Sequence, residues 1–167
     1  MIYKILSKNA CQRLNFRHLA SWIATFGGSG LISPASGTWG TLAALPFGIY
    51  FLNTGGASLL LSIAVLFFIL GLWASKHVEQ MMREKDSGNI VVDEAVGLWI
   101  ALIPSLYTNL SIALAFILFR IFDILKPFPI GWLDKRYKGA MGVMIDDVVA
   151  GIYAAFILIG LRYAGWL

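Results

Sequence analysis

Nine acidic residues dominate this chain of 167 residues because they fall in two short segments between long apolar runs. The first group is Glu79, Glu84, Asp86, Asp93 and Glu94, and the second is Asp123, Asp134, Asp146 and Asp147. Carboxylates at a membrane boundary are costly and indicate a functional site by default. Clustered oxygen ligands suit a hard cation such as Mg²⁺. The sequence therefore predicts metal-assisted chemistry at a membrane surface.

The first acidic group contains a compact polar segment, Asp86-Ser87-Gly88-Asn89, followed three residues later by Asp93-Glu94. We expect the serine, glycine and asparagine to form a turn, with Asn89 as the cap of the next helix. Asp93 and Glu94 then lie in the first helical turns, where negative charge complements the helix dipole. That role would explain one acid, whereas two adjacent acids that face a second acidic cluster favour a function.

The first member of the second acidic group, Asp123, lies between Arg120 and Lys126, and Pro127 follows. Spacings of three place Arg120 and Asp123 on one helix face, with Lys126 a further turn along, and Pro127 is expected to stop the helix. An ion pair within the helix and a snorkelling lysine would account for the pattern without a function. Arg120 directly follows an uncharged run, however, and a guanidinium in that position is well shaped for a phosphate.

Two glycine-containing segments are expected to precede helices. In residues 139–147 the glycines loosen the backbone before the last helix, which Asp146 and Asp147 could cap, although two carboxylates exceed what one cap needs. In residues 33–41 the hydroxyls, including Thr38 and Thr41, and the backbone N–H groups could hold an anion. A simple turn at the start of a helix is the alternative for that second segment.

The composition indicates an integral membrane protein. The chain is 59% hydrophobic and 13% charged, with a mean hydropathy of +0.77, whereas a soluble domain usually carries about 25% charged residues. The net charge is +4, but the basic residues are interpreted as topology signals and no nucleic-acid partner is expected. The single Cys11 excludes an internal disulfide. The N-terminus lacks a signal-peptide pattern, so we expect an unprocessed chain.

The apolar runs predict an all-α membrane bundle in one domain, residues 1–167, with a cytoplasmic amphipathic arm at 1–21 and a loop or re-entrant turn at 25–41. Five short membrane helices are expected, at about 38–53, 57–75, 93–106, 110–126 and 147–164. Pro104 and the polar stretch 105–111 favour a hairpin over one long helix. Five crossings put both acidic groups on the cytoplasmic face and leave the outer loops without charge, as the positive-inside rule favours.

Four motifs, in this order, resemble the phosphatidylglycerophosphatase A family of bacterial membrane enzymes. They are GSGL with GTWGTLAALP, D-x-G-N-x-x-x-D-E-x-x-G-x-W, FRIFDILKPFPI-x-W-x-D, and G-x-M-G-V-M-I-D-D-x-x-A-G. The resemblance runs from about Ile23 to Ala154. One departure is Ser36, which stands where we expect a proline before Gly-Thr.

The resemblance implies Mg²⁺-dependent hydrolysis of phosphatidylglycerophosphate to phosphatidylglycerol and inorganic phosphate, in the bacterial inner membrane. The implied acidic positions are Asp86, Asp93, Glu94, Asp123, Asp134, Asp146 and Asp147. The expected metal ligands are Asp93, Glu94, Asp123, Asp146 and Asp147. The expected substrate contacts are Arg120, Lys126, Thr38 and Thr41. The lipid and the membrane are the only partners expected.

Two alternatives remain open at this stage. A small cation transporter would place the acids along an ion path in the middle of its helices. A CDP-alcohol phosphotransferase would also be acidic and Mg²⁺-dependent, but its D-G-x-x-A-R signature is missing from the sequence.

Overall fold

The structure, a computed structural model, describes residues 13–85, 87–105 and 108–167. These residues form helices and turns, with no β-strand among them, so the expected all-α class is confirmed. The helices are α1 (Leu19–Ala24), α2 (Ser36–Met82), α3 (Val92–Leu102), α4 (Asn109–Leu125), α5 (Ile130–Arg136) and α6 (Ala140–Tyr163), with a 3₁₀ turn at Ser29–Leu31. Residues 1–12 of the expected arm, Cys11 among them, and Asp86 lie outside the described residues.

The long helix α2 consists of two halves that meet at Gly56, whose φ of 66° and ψ of −165° are not helical. Trp99 contacts Phe51 before this kink and Phe67 after it. The two halves therefore lie side by side, and the chain turns back at a residue whose left-handed φ favours glycine. They correspond to the helices expected at 38–53 and 57–75. The second half continues to Met82, beyond the end of the apolar run.

The short helix α3 lies at the centre and packs against α2, α4 and α6. Nearly all of its residues are buried. Its largest side chain, Trp99, is fully enclosed, and its indole N–H donates to the Ala44 carbonyl at 3.0 Å. A buried indole needs such a partner, so this bond fixes α3 against the first half of α2.

The hairpin expected around Pro104 is present, because α3 ends at Leu102 and α4 begins at Asn109. The Thr108 hydroxyl caps α4 by accepting the Ser111 N–H at 3.2 Å. The other end of α4 falls at Leu125, where Lys126 takes a left-handed φ of 43° just before Pro127. The predicted helices 93–106 and 110–126 are therefore largely correct, the first being shorter than expected.

Two local predictions were wrong, and one short helix was not predicted. The last helix begins at Ala140 rather than at 147, so Asp146 and Asp147 lie about two turns inside α6 and do not cap it. The glycines of this segment were interpreted as loosening the backbone, but tight packing outweighs their low helix propensity. Val91, not Asn89, is the N-cap of α3, and no side chain caps it. The short helix α5 was not predicted.

Among the described helices, α2 and α6 are long and apolar enough to cross a membrane by length and composition. Only 22% of the apolar stretch of α2 and 44% of that of α6 are buried inside the protein, whereas the core helix of a soluble protein would be mostly buried. Many large apolar side chains face outward: Leu61, Val65, Leu66, Ile69, Ile117, Ile121, Ile124 and Phe156. An apolar outer surface of this extent fits a lipid environment better than water.

Candidate active site

Acidic residues from both sequence groups converge at one end of the helices. Asp93 and Glu94 lie in the first turn of α3, and Asp123 lies in the last turn of α4. A cavity of about 200 Å³ is lined by seven charged residues: Asp93, Glu94, Asp123, Lys126, Asp134, Asp146 and Asp147. The helix order expected from the sequence therefore brings the two groups together, as a shared site requires.

A close crossing of α3 and α6 holds two of these carboxylates against each other. A Cβ atom on Gly151 would overlap the Gly97 carbonyl oxygen, and one on Gly97 would lie 2.7 Å from the Asp147 carbonyl oxygen. Asp93 precedes Gly97 by four residues, and Asp147 precedes Gly151 by four. Residues four apart share a helix face, so the contact between the glycines brings Asp93 and Asp147 together one turn away.

Asp93, Glu94 and Asp147 form the group best suited to a metal ion. One carboxylate oxygen from each lies within 4.8 Å of the others. Within the described part of the chain, Asp93 Oδ1, Glu94 Oε2 and Asp147 Oδ2 are buried without a hydrogen-bond partner. Buried carboxylate oxygens without partners are costly unless a cation compensates them. Their oxygen chemistry fits a hard divalent cation such as Mg²⁺.

Lys126 connects two further carboxylates of the cavity. Its ammonium lies 2.5 Å from Asp146 Oδ2 and 3.1 Å from Asp134 Oδ1. Burial lowers the pKa of Lys126, but the hydrogen bonds and charges of Asp146 and Asp134 outweigh it and hold that pKa well above its usual range. Asp146 Oδ1 also accepts the backbone N–H of Asp147 at 3.1 Å. Both oxygens of Asp146 are therefore engaged by the protein itself.

Arg120 lies beside the acidic cavity and is held by three oxygen atoms. Its Nη1 lies 2.6 Å from Asp123 Oδ2 and 3.4 Å from Thr41 Oγ1, and its Nη2 lies 3.5 Å from Thr38 Oγ1. Its Nε is buried without a partner in the described part of the chain. The two threonines from the start of α2 therefore orient the guanidinium, which keeps an unused N–H donor.

The backbone at the start of α2 packs directly on the site. A Cβ on Gly37 would overlap Glu94 Oε1 and lie 3.2 Å from Arg120 Nη1. Ser36, the residue at which the family pattern leads us to expect proline, donates its hydroxyl to the Gly88 carbonyl. The start of α2 thus contacts both the carboxylates and the segment that contains Ser87 and Gly88.

Some residues of the site belong to the segments and motifs of the sequence analysis but were not predicted to contribute to the site. Ser87 and Gly88 line the acidic cavity, and the two glycines of the α3–α6 crossing position its carboxylates. The available signal was a repeated spacing, since Asp93 and Asp147 are each followed four residues later by glycine. Of the expected acidic positions, Asp86 lies outside the described residues.

The comparisons with known proteins agree with the motifs. The family model for phosphatidylglycerophosphatase A matches residues 22–162. A phosphatidylglycerophosphatase A of Haemophilus influenzae is 41% identical over 157 residues, which cover 93% of this chain and 96% of that protein. A phosphatidylglycerophosphatase A of Escherichia coli is 40% identical over 159 residues, covering 93% and 89%.

A third relative has a different name. A putative phosphatidylinositol-3-phosphatase of Bacteroides thetaiotaomicron is 41% identical over 152 residues, which cover 87% of this chain and 92% of that protein. No solved structure matches the chain significantly. The family match covers most of the chain, and the resemblance seen in the four motifs is confirmed: the chain belongs to the phosphatidylglycerophosphatase A family.

Proposed function

We propose that this protein hydrolyses the terminal phosphomonoester of phosphatidylglycerophosphate and that the reaction depends on Mg²⁺. The observation that carries the proposal is the group of three carboxylates, Asp93, Glu94 and Asp147, each of which has a buried oxygen without a partner in the described residues. The half-buried guanidinium of Arg120 lies beside them. Such a site has ligands for a divalent cation and a cationic donor for a phosphate. The relatives named phosphatidylglycerophosphatase A indicate which lipid carries that phosphate.

Asp93, Glu94 and Asp147 would hold the metal ion. When bound, Mg²⁺ neutralises phosphate charge, activates water and stabilises the leaving alkoxide. Asp123 and Asp146, which we also expected to be ligands, are paired with Arg120 and Lys126. We assign them to positioning those cations and, for Asp123, to proton transfer.

Arg120 would bind the non-bridging oxygens of the phosphate through its Nε–H, which has no partner in the described residues. Lys126, which lines the cavity, would add positive charge. Water attacks phosphorus, the phosphorus–oxygen ester bond breaks, and phosphatidylglycerol leaves with a proton from solvent. We assign Asp123, which lines the acidic cavity, as the proton acceptor for the attacking water.

The proposed setting is the bacterial inner membrane, crossed five times by the two halves of α2 and by α3, α4 and α6. α3 is short, with 11 residues, so the bilayer would be thin around it or the protein would lie low in it. The site would face the cytoplasm, since the acidic cavity and the basic residues around it lie at one end of the helices. Thr108 and the Gly56 kink would lie at the opposite end.

The two alternatives receive no support from the comparisons, which name phosphatases throughout. The described carboxylates of the site also gather at one end of the bundle, instead of following a path along its axis as a cation transporter would need.

The decisive experiment measures release of inorganic phosphate from phosphatidylglycerophosphate by the purified protein in detergent. We expect turnover that stops after exhaustive chelation with EDTA and returns when Mg²⁺ is added in excess. Phosphatidylinositol 3-phosphate serves as the competing substrate, because one relative is named for that lipid. Full activity after chelation would contradict the metal dependence, and phosphate release from the inositol lipid alone would contradict the substrate.

A further inference from the structure

A large apolar cavity lies between α1, α2 and Trp99 of α3, and the reaction proposed above does not use it. Its volume is about 840 Å³, which falls in the range of roughly 300–1,000 Å³ typical of ligand pockets. Six aromatic side chains dominate its lining: Trp22, Phe26, Phe47, Phe51, Phe67 and Trp99. Trp22 and Phe47 are about half exposed, so the cavity opens to the surroundings of the protein.

A smaller cavity has one lining residue in common with the aromatic cavity and another in common with the acidic cavity. It has a volume of about 210 Å³ and is lined mainly by residues 30–36 together with Gly88 and Asn89. It shares Ile32 with the aromatic cavity and Gly88 with the acidic cavity. Three cavities are therefore neighbours in series: an acidic one, a mixed one whose polar side chains are Ser33, Ser36 and Asn89, and an aromatic one.

The series also runs in the direction that a membrane lipid would take. The acidic cavity lies at the end of the bundle, at the first turn of α3, whereas Trp99 lies further along the same helix. On α2, Phe47 and Phe51 lie deeper than Thr41, which contacts Arg120. The aromatic cavity therefore extends from the site toward the middle of the bundle.

We infer that the aromatic cavity receives an acyl chain of the lipid substrate while its phosphomonoester occupies the acidic cavity. This inference rests on the proposed function. The order of the cavities matches the order of groups along a glycerophospholipid with a terminal phosphate: a charged phosphate, a polar glycerol linker and an apolar chain. The chemical class that fits is a long-chain diacyl lipid phosphate.

The contribution of the cavity is orientation more than affinity. An acyl chain that moves from a bilayer or a micelle into this cavity exchanges one apolar environment for another, so little hydrophobic free energy is gained. Holding one chain nevertheless fixes the position of the headgroup relative to Arg120 and the carboxylates. Correct positioning of the reacting group is worth a large factor in rate. Blocking the cavity should therefore slow long-chain substrates selectively.

Ala43 offers a way to fill the cavity without touching the charged site. It is half-buried in the lining, and a phenylalanine there would occupy the space of a chain. Ala113→Phe is the matched control, because Ala113 is exposed on α4. Phosphate release is measured for dipalmitoyl and dihexanoyl phosphatidylglycerophosphate in the same detergent. We expect Ala43→Phe to lower the dipalmitoyl-to-dihexanoyl ratio of kcat/KM about tenfold, and Ala113→Phe to leave it unchanged.

Ala43→Leu provides a smaller obstruction should the phenylalanine variant fail to fold. Its dipalmitoyl-to-dihexanoyl ratio of kcat/KM should fall by less than about tenfold. Equal slowing of both substrates by either well-folded variant, or no slowing at all, would overturn the inference. The proposed function fails separately, and in a different observation: the wild-type protein would then release phosphate from neither lipid.

Discussion

The backbones of Gly97 and Gly151 are in contact where α3 crosses α6, and each glycine lies one helical turn after a carboxylate of the acidic group. Gly97 follows Asp93, and Gly151 follows Asp147. Any side chain at either position would push the helices apart and separate these carboxylates. The position of the proposed metal ligands therefore depends on two residues that have no chemistry of their own.

Gly151→Ala should disturb the site from a distance. The new methyl group would overlap the Gly97 carbonyl oxygen, and overpacking of this kind typically costs about 1–3 kcal/mol of stability. We expect the rate of phosphate release to fall by about tenfold or more, because small displacements of catalytic groups are costly. Phosphate release and the thermal unfolding midpoint are the two measurements.

Gly160→Ala is the matched control on the same helix. A Cβ at Gly160 would meet no atom within 4 Å, and alanine is favoured over glycine inside a helix by about 0.5–1 kcal/mol. This variant should keep full activity and be at least as stable as the wild type. Equal behaviour of the two variants would show that the glycine contact does not position the site.

Asp147→Asn tests the proposed metal ligands through stability as well as activity. Three buried carboxylates repel one another when no cation compensates them. The amide removes one of these charges with little change in shape. In EDTA the variant should therefore unfold at a higher temperature than the wild type. Added Mg²⁺ should raise its unfolding temperature by less than it raises that of the wild type. The rate of phosphate release should fall at least about a hundredfold. Mutation of a residue that only supports a metal ligand already lowers metal affinity or activity about ten- to a hundredfold.

Glu84→Gln is the control for this charge removal, because Glu84 is exposed and its ion pair with the exposed Arg13 is long, at 4.0 Å. The difference in unfolding midpoint between Glu84→Gln and the wild type should be the same with Mg²⁺ and without it. If Asp147→Asn keeps the wild-type stabilisation by Mg²⁺, Asp147 is not a ligand of the ion.

Much of the site could be predicted from the sequence because its charged residues stand out against apolar neighbours. Asp93 and Glu94 were expected in the first turns of a helix and lie there. The positions of Asp146 and Asp147 could not be predicted, because the glycines before them suggested a turn while tight packing keeps the segment helical. Helix propensity is a weak local preference, and tertiary contacts such as the α3–α6 crossing are not visible in one sequence.

Arg120→Lys should weaken substrate binding even though the charge is kept. A lysine cannot reproduce the planar set of donors that contacts Asp123, Thr38 and Thr41. Hydrogen bonds to charged groups are worth about 1.5–3 kcal/mol, or about ten- to a hundredfold in kcat/KM. Arg136→Lys, the same change at an exposed position of α5, should have no effect. A wild-type kcat/KM for Arg120→Lys would remove Arg120 from the phosphate site.

Lys126→Met should change the metal and substrate dependences in opposite directions. The substitution leaves Asp146 and Asp134 without the ammonium that bridges them, so the cavity becomes more negative. Half-maximal activation should then need less Mg²⁺, while KM for the lipid phosphate should rise because like charges repel. Lys135→Met, at an exposed position of α5, is the control. A parallel rise in both quantities would contradict this electrostatic role.

The orientation of the bundle can be tested with single cysteines in a Cys11→Ser background. Lys85 and Lys138 are exposed near the acidic end of the helices, and Thr108 is exposed at the opposite end. Ser87 would be a poor probe because it is buried.

A membrane-impermeant thiol reagent on intact cells should label a cysteine at Thr108. It should label cysteines at Lys85 and Lys138 only after the membrane is opened. The positive-inside rule leads to this expectation, because Lys126 and the basic residues of α5 lie at the acidic end, whereas Arg162 lies in the last turn of α6. Labelling of both Lys85→Cys and Lys138→Cys from outside would show that the orientation is the reverse of the one expected, with both acidic segments still on one side of the membrane. Labelling of only one of them from outside would place the two acidic segments on opposite sides of the membrane, and a single shared site could not then exist.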